Sequence, residues 1–94
     1  MSNTQNLEKK ADAQPPVFSE EEIRAWLVAY LQKLLKKRGG VDNDRRFPDM
    51  GLDSMMLIVL TEELSVWMWR KIDPLVAYDH PSINKLARYL ATQS

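Results

Sequence analysis

Met50-Gly51-Leu52-Asp53-Ser54-Met55 is the stretch around which this chain is organised. Gly51 lets the backbone turn without the penalty a Cβ imposes, and Leu52 is an apolar anchor able to pin the end of a loop to a core. Asp53 carries the short carboxylate favoured at a helix N-cap. Ser54 then opens an apolar-patterned run, which sets its hydroxyl at the mouth of a helix. Free N–H groups and the positive end of the helix dipole favour a phosphate there. A serine in that position can carry a phosphate-linked group. Its plain alternative is a helix-capping serine, since Asp-Ser before a helix is common.

From Ser54 to about Trp69, Leu57, Leu60, Thr61, Leu64 and Trp67 or Met68 recur at three- and four-residue intervals, the stripe of a helix with one buried face. Met55, Ile58, Val59 and Glu62 fall beside or opposite that stripe. The helix is thus more apolar than one buried face requires. A small bundle rarely buries every face, so Met55, Ile58 and Val59 read as a docking surface, with methionine suiting several partners. Glu62 and Glu63 are either part of that surface or simply solvated.

Upstream, Val41 to Asp53 is a long connection rich in Asp, Asn, Arg, Gly and Pro, uncommon in a small domain unless it does something. Val41, Phe47 and Leu52 can tie it to the core. Before it, Ser19 and Glu22 have the capping-box spacing, and Phe18 can staple against Ile23. Glu20, Glu21 and Glu22 complement the positive end of this first helix, and Lys36, Lys37 and Arg38 the negative end. Ile23, Leu27, Tyr30, Leu31, Leu34 and Leu35 recur between them, and Gly39-Gly40 ends the helix. Residues 1–16 hold only Met1 and Leu7 as sizeable apolar side chains and finish on Pro15-Pro16, which reads as a disordered leader, a frayed helix over Leu7 to Asp12 at most. Residues 17–94 form the domain. Downstream, Asp73-Pro74 ends the second helix or its trailing loop. Leu75 to Tyr78 makes one short turn, Asp79-His80-Pro81 stops it, and Ser82 caps a last helix with Ile83, Leu86, Ala87, Tyr89 and Leu90 inward. The pattern predicts an all-α fold, a small bundle of three main helices and one short one.

Composition narrows the chemistry. The chain has 94 residues, enough for one small domain. Lys+Arg and Asp+Glu balance at 13 each, so no basic footprint for nucleic acid or anionic membrane exists. With no cysteine and one histidine, His80, the chain has no thiol nucleophile, disulfide framework or histidine cluster for a metal, and an intracellular, cytoplasmic setting is the default. The run Met55 to Leu60 is too short to span a bilayer, and no hydrophobic signal core opens the chain.

The residues resemble the acyl carrier protein family, the phosphopantetheine-bearing domains of fatty acid, polyketide and related synthases. The similarity runs from Ser19 to Ala91. Gly51-Leu52-Asp53-Ser54-Met55 matches the family's attachment motif, and Leu64, Asp79-His80-Pro81-Ser82-Ile83 and Leu86-Ala87-Arg88-Tyr89-Leu90 match its later helices. The resemblance implies that Ser54 bears 4'-phosphopantetheine, derived from coenzyme A, whose thiol carries an acyl group as a thioester. It also implies an antiparallel bundle whose second helix is read by partners. These are a phosphopantetheinyl transferase, an acyl-loading enzyme and downstream synthase or modifying enzymes. Asp53 is then a helix cap, a contact for the transferase, or both. Partner contacts fall to Met55, Ile58, Val59, Glu62 and Glu63 on a chain expected to be monomeric.

Within the family, Trp26-Leu27, Glu63-Leu64-Ser65-Val66-Trp67-Met68 and Ile72-Asp73-Pro74-Leu75 look like stand-alone carriers of polyketide or lipopeptide pathways loaded by fatty acyl-AMP ligases. Three positions depart from the pattern. Trp69 replaces the glycine usual after the second helix, Leu75 a common threonine, and Val59 a frequent acidic residue. A peptidyl carrier for an aminoacyl group remains the alternative. An enzyme using Ser54 as nucleophile fails on inventory, for there is no Gly-x-Ser-x-Gly elbow and His80 is the only conventional base. A helix-turn-helix or other non-carrier interaction module is the remote rival, opposed for DNA by Asp49, Asp53, Glu62 and Glu63 near the candidate site. Trp26, Tyr30 and Trp67 are expected to pack in the bundle, His80 to be structural, and Trp69 to be core overflow, a lid or a partner anchor.

Overall fold

Ser19 behaves as its spacing predicts. Its hydroxyl accepts from the Glu22 N–H at 3.1 Å while the Glu22 carboxylate accepts from the Ser19 N–H at 2.8 Å, closing a reciprocal capping box. From this cap helix α1 runs over Glu20–Leu34. The computed structural model describes residues 17–35 and 41–92. The leader 1–16, its frayed helix, the Lys36-Lys37-Arg38 charge complement and the Gly39-Gly40 stop all lie outside the described residues.

The C-cap of α1 is Leu35. Leu35 leaves the helical basin at φ −108° and ψ 19° and donates back to the Leu31 carbonyl. Ile23, Leu27, Leu31 and Leu35 are buried, whereas Leu34, part of the same apolar recurrence, is 41% exposed. Phe18 stacks on Trp67, with ring centroids 4.3 Å apart.

The long connection is anchored at several points. Phe47–Met50 forms a 3-10 turn, and Phe47, Met50 and Leu52 are all buried. Burying a side chain such as Phe47 stabilises by roughly 1.5–3 kcal/mol. The Phe47 N–H also donates to the Pro81 carbonyl at 2.8 Å, stitching the turn to the segment before the last helix. Asn84 completes the tie: its N–H donates to the Asn43 carbonyl, its amide group to Asp44, and its side-chain oxygen accepts from Arg24 of α1 at 2.6 Å. Arg24 is held further by Glu20 and Glu21. Burial alone would lower its pKa, but those hydrogen bonds and charges win and raise it.

Helix α2 spans Ser54–Met68, α3 Leu75–Asp79 and α4 Ile83–Thr92. Leu57, Leu60, Thr61, Leu64 and Met68 are buried on α2, the stripe its periodicity requires. The α4 face Ile83, Leu86, Ala87 and Leu90 closes the core against α1. Tyr89, half-buried, packs against this core and also stacks on His80, with ring centroids 4.1 Å apart. Phe18 at the start of α1 meets Trp67 at the end of α2, while Arg24 and Glu20 meet Asn84 and Arg88 in reverse order. Both pairings are therefore antiparallel. Among the described residues the chain is all-α.

Trp69 is the C-cap of α2. The Trp69 N–H bonds to the Val66 carbonyl and the Arg70 N–H to the Ser65 carbonyl, a Schellman ending. It requires a left-handed residue, and Trp69 supplies one at φ 57° and ψ 43° despite its Cβ. Its side chain is 63% exposed, so it is not part of the core. The Ser65 hydroxyl donates to the Thr61 carbonyl and accepts from the Ile72 N–H, holding the loop beyond against the helix. The Asp73 carboxylate accepts from the Leu75 N–H at 2.9 Å at the start of α3.

Candidate functional site

Gly51 makes the site possible. It ends the 3-10 turn at φ 89° and ψ 16°, a left-handed conformation that costs glycine least. Its N–H returns to the carbonyls of Phe47 and Pro48, closing the turn. The buried Leu52 then fixes the direction from which the chain enters α2. Asp53 is the N-cap, extended at φ −91° and ψ −179°, and its Oδ1 accepts from the Met56 N–H at 2.9 Å.

Ser54 is therefore the first helical residue, and it is exposed. Because Asp53 does the capping, the Ser54 hydroxyl is not used as a cap. The amides of Ser54 and Met55 have no acceptor within the helix by its geometry. An exposed hydroxyl, free amides and the positive end of a fifteen-residue helix fit a phosphodiester. No ion pair among the described residues occupies the spot.

The predicted partner residues come together. Met55, Ile58, Val59, Glu62 and Glu63 follow one another at helical intervals, forming a stripe half a turn from the buried one. Met55 is 67% exposed, Val59 and both glutamates are exposed, and Ile58 is half-buried without joining the packed core. Val66 extends the same exposed stripe, a continuation that its helical spacing from Glu62 could have revealed.

Two clefts flank the start of α2. One, of about 340 Å³, lies between α1 and α2 and is lined by Tyr30, Leu34, Asp53, Met55, Met56 and Val59. The other, about 250 Å³, is lined by residues including Pro48, Leu57, Ala77 and Tyr78. Tyr30 thus does more than pack. It stacks on Trp26 at 5.1 Å, Trp26 stacks on Trp67 at 5.5 Å, and the other flank of Tyr30 forms a cleft wall. Burial, then the charge of Glu63, raises the Tyr30 pKa above its ordinary value. Among the described residues no group of acids and histidines could hold a metal ion, and no helix is long and apolar enough to cross a membrane.

Comparison with known proteins agrees with this geometry. The family described as "Phosphopantetheine attachment site" matches residues 25–90. One component of the phenolphthiocerol/phthiocerol polyketide synthase of Mycobacterium tuberculosis is 37% identical over 76 residues, 80% of this chain and 4% of that protein. The chain thus spans only a small fraction of that synthase component. The acyl carrier protein TtuC of Teredinibacter turnerae is 28% identical over 79 residues, covering 83% of this chain and 91% of its own length. In three dimensions the chain is similar to a free-standing peptidyl carrier protein of Acinetobacter baumannii, with a TM-score of 0.71 at 24% identity over 80% of this chain and 95% of the other.

Proposed function

From the premise that this chain belongs to the phosphopantetheine attachment family, we propose that Ser54 is the residue that carries its 4'-phosphopantetheine. The observation that carries this reading is the exposed Ser54 hydroxyl at the first position of α2, left free because Asp53 caps the helix. The arm supplies a thiol on which an acyl group travels as a thioester. The chain itself does the rest. The turn at Gly51 and the buried Leu52 hold the serine outward, and the first-turn amides favour the phosphate charge.

No catalytic role falls to the chain in this reading, and His80 is committed to its stack on Tyr89. Partners supply the chemistry. The exposed stripe of Met55, Ile58, Val59, Glu62 and Glu63 is where the transferase, the loading enzyme and the downstream enzymes dock, with Asp53 at its edge. Contacts there are mainly apolar. The acyl carrier among the relatives supports acyl over aminoacyl cargo. The segments around Trp26, Trp67 and Asp73 support loading by a fatty acyl-AMP ligase in a cytoplasmic pathway for a polyketide or lipopeptide.

Incubation of the purified chain with coenzyme A and a broad-specificity phosphopantetheinyl transferase tests the assignment by intact mass. Wild type should gain the mass of one arm and Ser54→Ala none. An arm on the alanine variant, or none on wild type, overturns the proposal.

A further inference from the structure

The first turn of α4 is bonded to the connection that leads to Ser54, beyond what its own helix needs. The Ser82 hydroxyl accepts from the Lys85 N–H, an ordinary cap. The Asn84 N–H, which has no acceptor within the helix, donates to the Asn43 carbonyl at 3.0 Å. The Asn84 side chain then bridges two charges. Its Oδ1 accepts from Arg24 Nε at 2.6 Å, and its Nδ2 donates to Asp44 Oδ1 at 2.6 Å. A short amide offers an acceptor and a donor on one rigid group; aspartate lacks the donor, and glutamine sets it one methylene farther out. Both bonds are charge-assisted, and each polarises the amide in favour of the other.

Three residues before Asn84, the Pro81 carbonyl accepts from the Phe47 N–H at 2.8 Å. Residues 81–84 thus grip residues 43–47 at two points, which fixes orientation as well as position. The gripped stretch runs into the turn that Gly51 ends and from which Ser54 emerges. The core does not depend on the outer grip, for Phe47, Met50 and Leu52 are buried without it and Asp44 is exposed. What the Asn84 bridge governs is the disposition of the exposed Arg45, Arg46, Pro48 and Asp49 ahead of the serine.

We infer that Asn84 is a positioning residue for arm transfer: by bridging Arg24 and Asp44 it holds residues 43–49 in the shape that the transferase engages. The inference rests on Ser54 receiving the arm. Ser54 lies where the connection joins α2, so an enzyme reaching its hydroxyl meets the connection on one side and the helix on the other. With the bridge cut, the connection turns about Phe47 and is competent only part of the time. Apparent affinity falls by that fraction, while the chemistry of the docked serine is untouched. KM for this chain therefore rises and kcat stays.

Steady-state arm transfer to the full chain, from saturating coenzyme A with a broad-specificity phosphopantetheinyl transferase, separates the two constants by intact mass. Asn84→Asp keeps an acceptor for Arg24 but opposes two carboxylates, and should raise KM about tenfold with kcat held within about twofold. Asp44→Ala, at an exposed position, should shift KM the same way without touching the core. Asp44→Asn alone retains an acceptor oxygen and should match wild type. Combined with Asn84→Asp it restores the bond with donor and acceptor exchanged, so KM should return to within about threefold of wild type. Ser65→Ala loses the bond to the Ile72 N–H at the far end of α2, and should cost stability but leave KM unchanged. Hydrogen exchange of the Phe47 amide, which needs no enzyme, should quicken in Asn84→Asp and recover in the double variant. A wild type that takes no arm overturns the Ser54 assignment and this inference with it. Normal loading with unchanged KM in Asn84→Asp and Asp44→Ala overturns this inference alone. An equal rise in Ser65→Ala, or no recovery in the double variant, overturns it too, because the effect would then follow overall stability and not the bridge.

Discussion

Asp53 can be separated into its two roles by a pair of substitutions. Its Oδ1 accepts from the Met56 N–H at 2.9 Å, and this is the only side-chain cap of α2 among the described residues. Asp53→Ala removes the bond from an exposed N-terminus where water can partly replace it, so the cost is the usual one for a lost cap, about 1 kcal/mol. In a domain of this size that lowers Tm by roughly 4–8 °C. Asp53→Asn keeps an equally good cap and loses only the carboxylate's attraction to the helix dipole, about 0.3–1 kcal/mol at an exposed site and less in salt. Melts followed by circular dichroism should therefore rank wild type first, Asn close behind and Ala last. The rate of arm transfer, read by intact mass, decides the second role. If the carboxylate also meets the transferase, the asparagine variant is slowed at least tenfold while its melt hardly moves. Should the alanine variant melt with wild type, the capping account of how Ser54 is freed is wrong. Should asparagine load at the wild-type rate, Asp53 is a cap alone.

Two further outcomes follow from α2. Trp69 sits in a left-handed conformation that costs a residue bearing a Cβ about 1–2 kcal/mol and glycine almost nothing. Trp69→Gly should thus be more stable than Trp69→Ala by about 0.5–1 kcal/mol after the entropy of unfolded glycine is subtracted, the reverse of their order inside a helix, and urea melts that rank alanine higher would refute the strain. Ile58→Glu, at a half-buried position outside the packed core, should change stability by no more than about 0.5 kcal/mol yet impair acyl transfer from a partner, whereas loss of the helical circular dichroism signal would make Ile58 a core residue.

The local chemistry of this protein was legible in its residues because it depends on neighbours a few positions apart. The capping box at Ser19, the α2 stripe, the cap at Ser82 and the exposed Ser54 all follow from spacing and side-chain type. So does the outward stripe from Met55 to Glu63, since one helix fixes which residues share a face. Family resemblance added the arm and its cargo, which no spacing could supply.

What only the tertiary structure decided are the contacts between distant segments. Asn84 looks like an ordinary helix residue, yet it bridges Arg24, Asn43 and Asp44 and holds the connection that presents the serine. Phe18 faces Trp67 across the bundle, and a stacked row from Phe18 through Trp67 and Trp26 to Tyr30 runs along the α1/α2 seam. Leu34 is exposed and lines the cleft that also borders Asp53 and Met55. Periodicity gives each helix its apolar face, but the register in which two faces meet depends on side-chain packing across the seam, and that register decides whether a cleft remains.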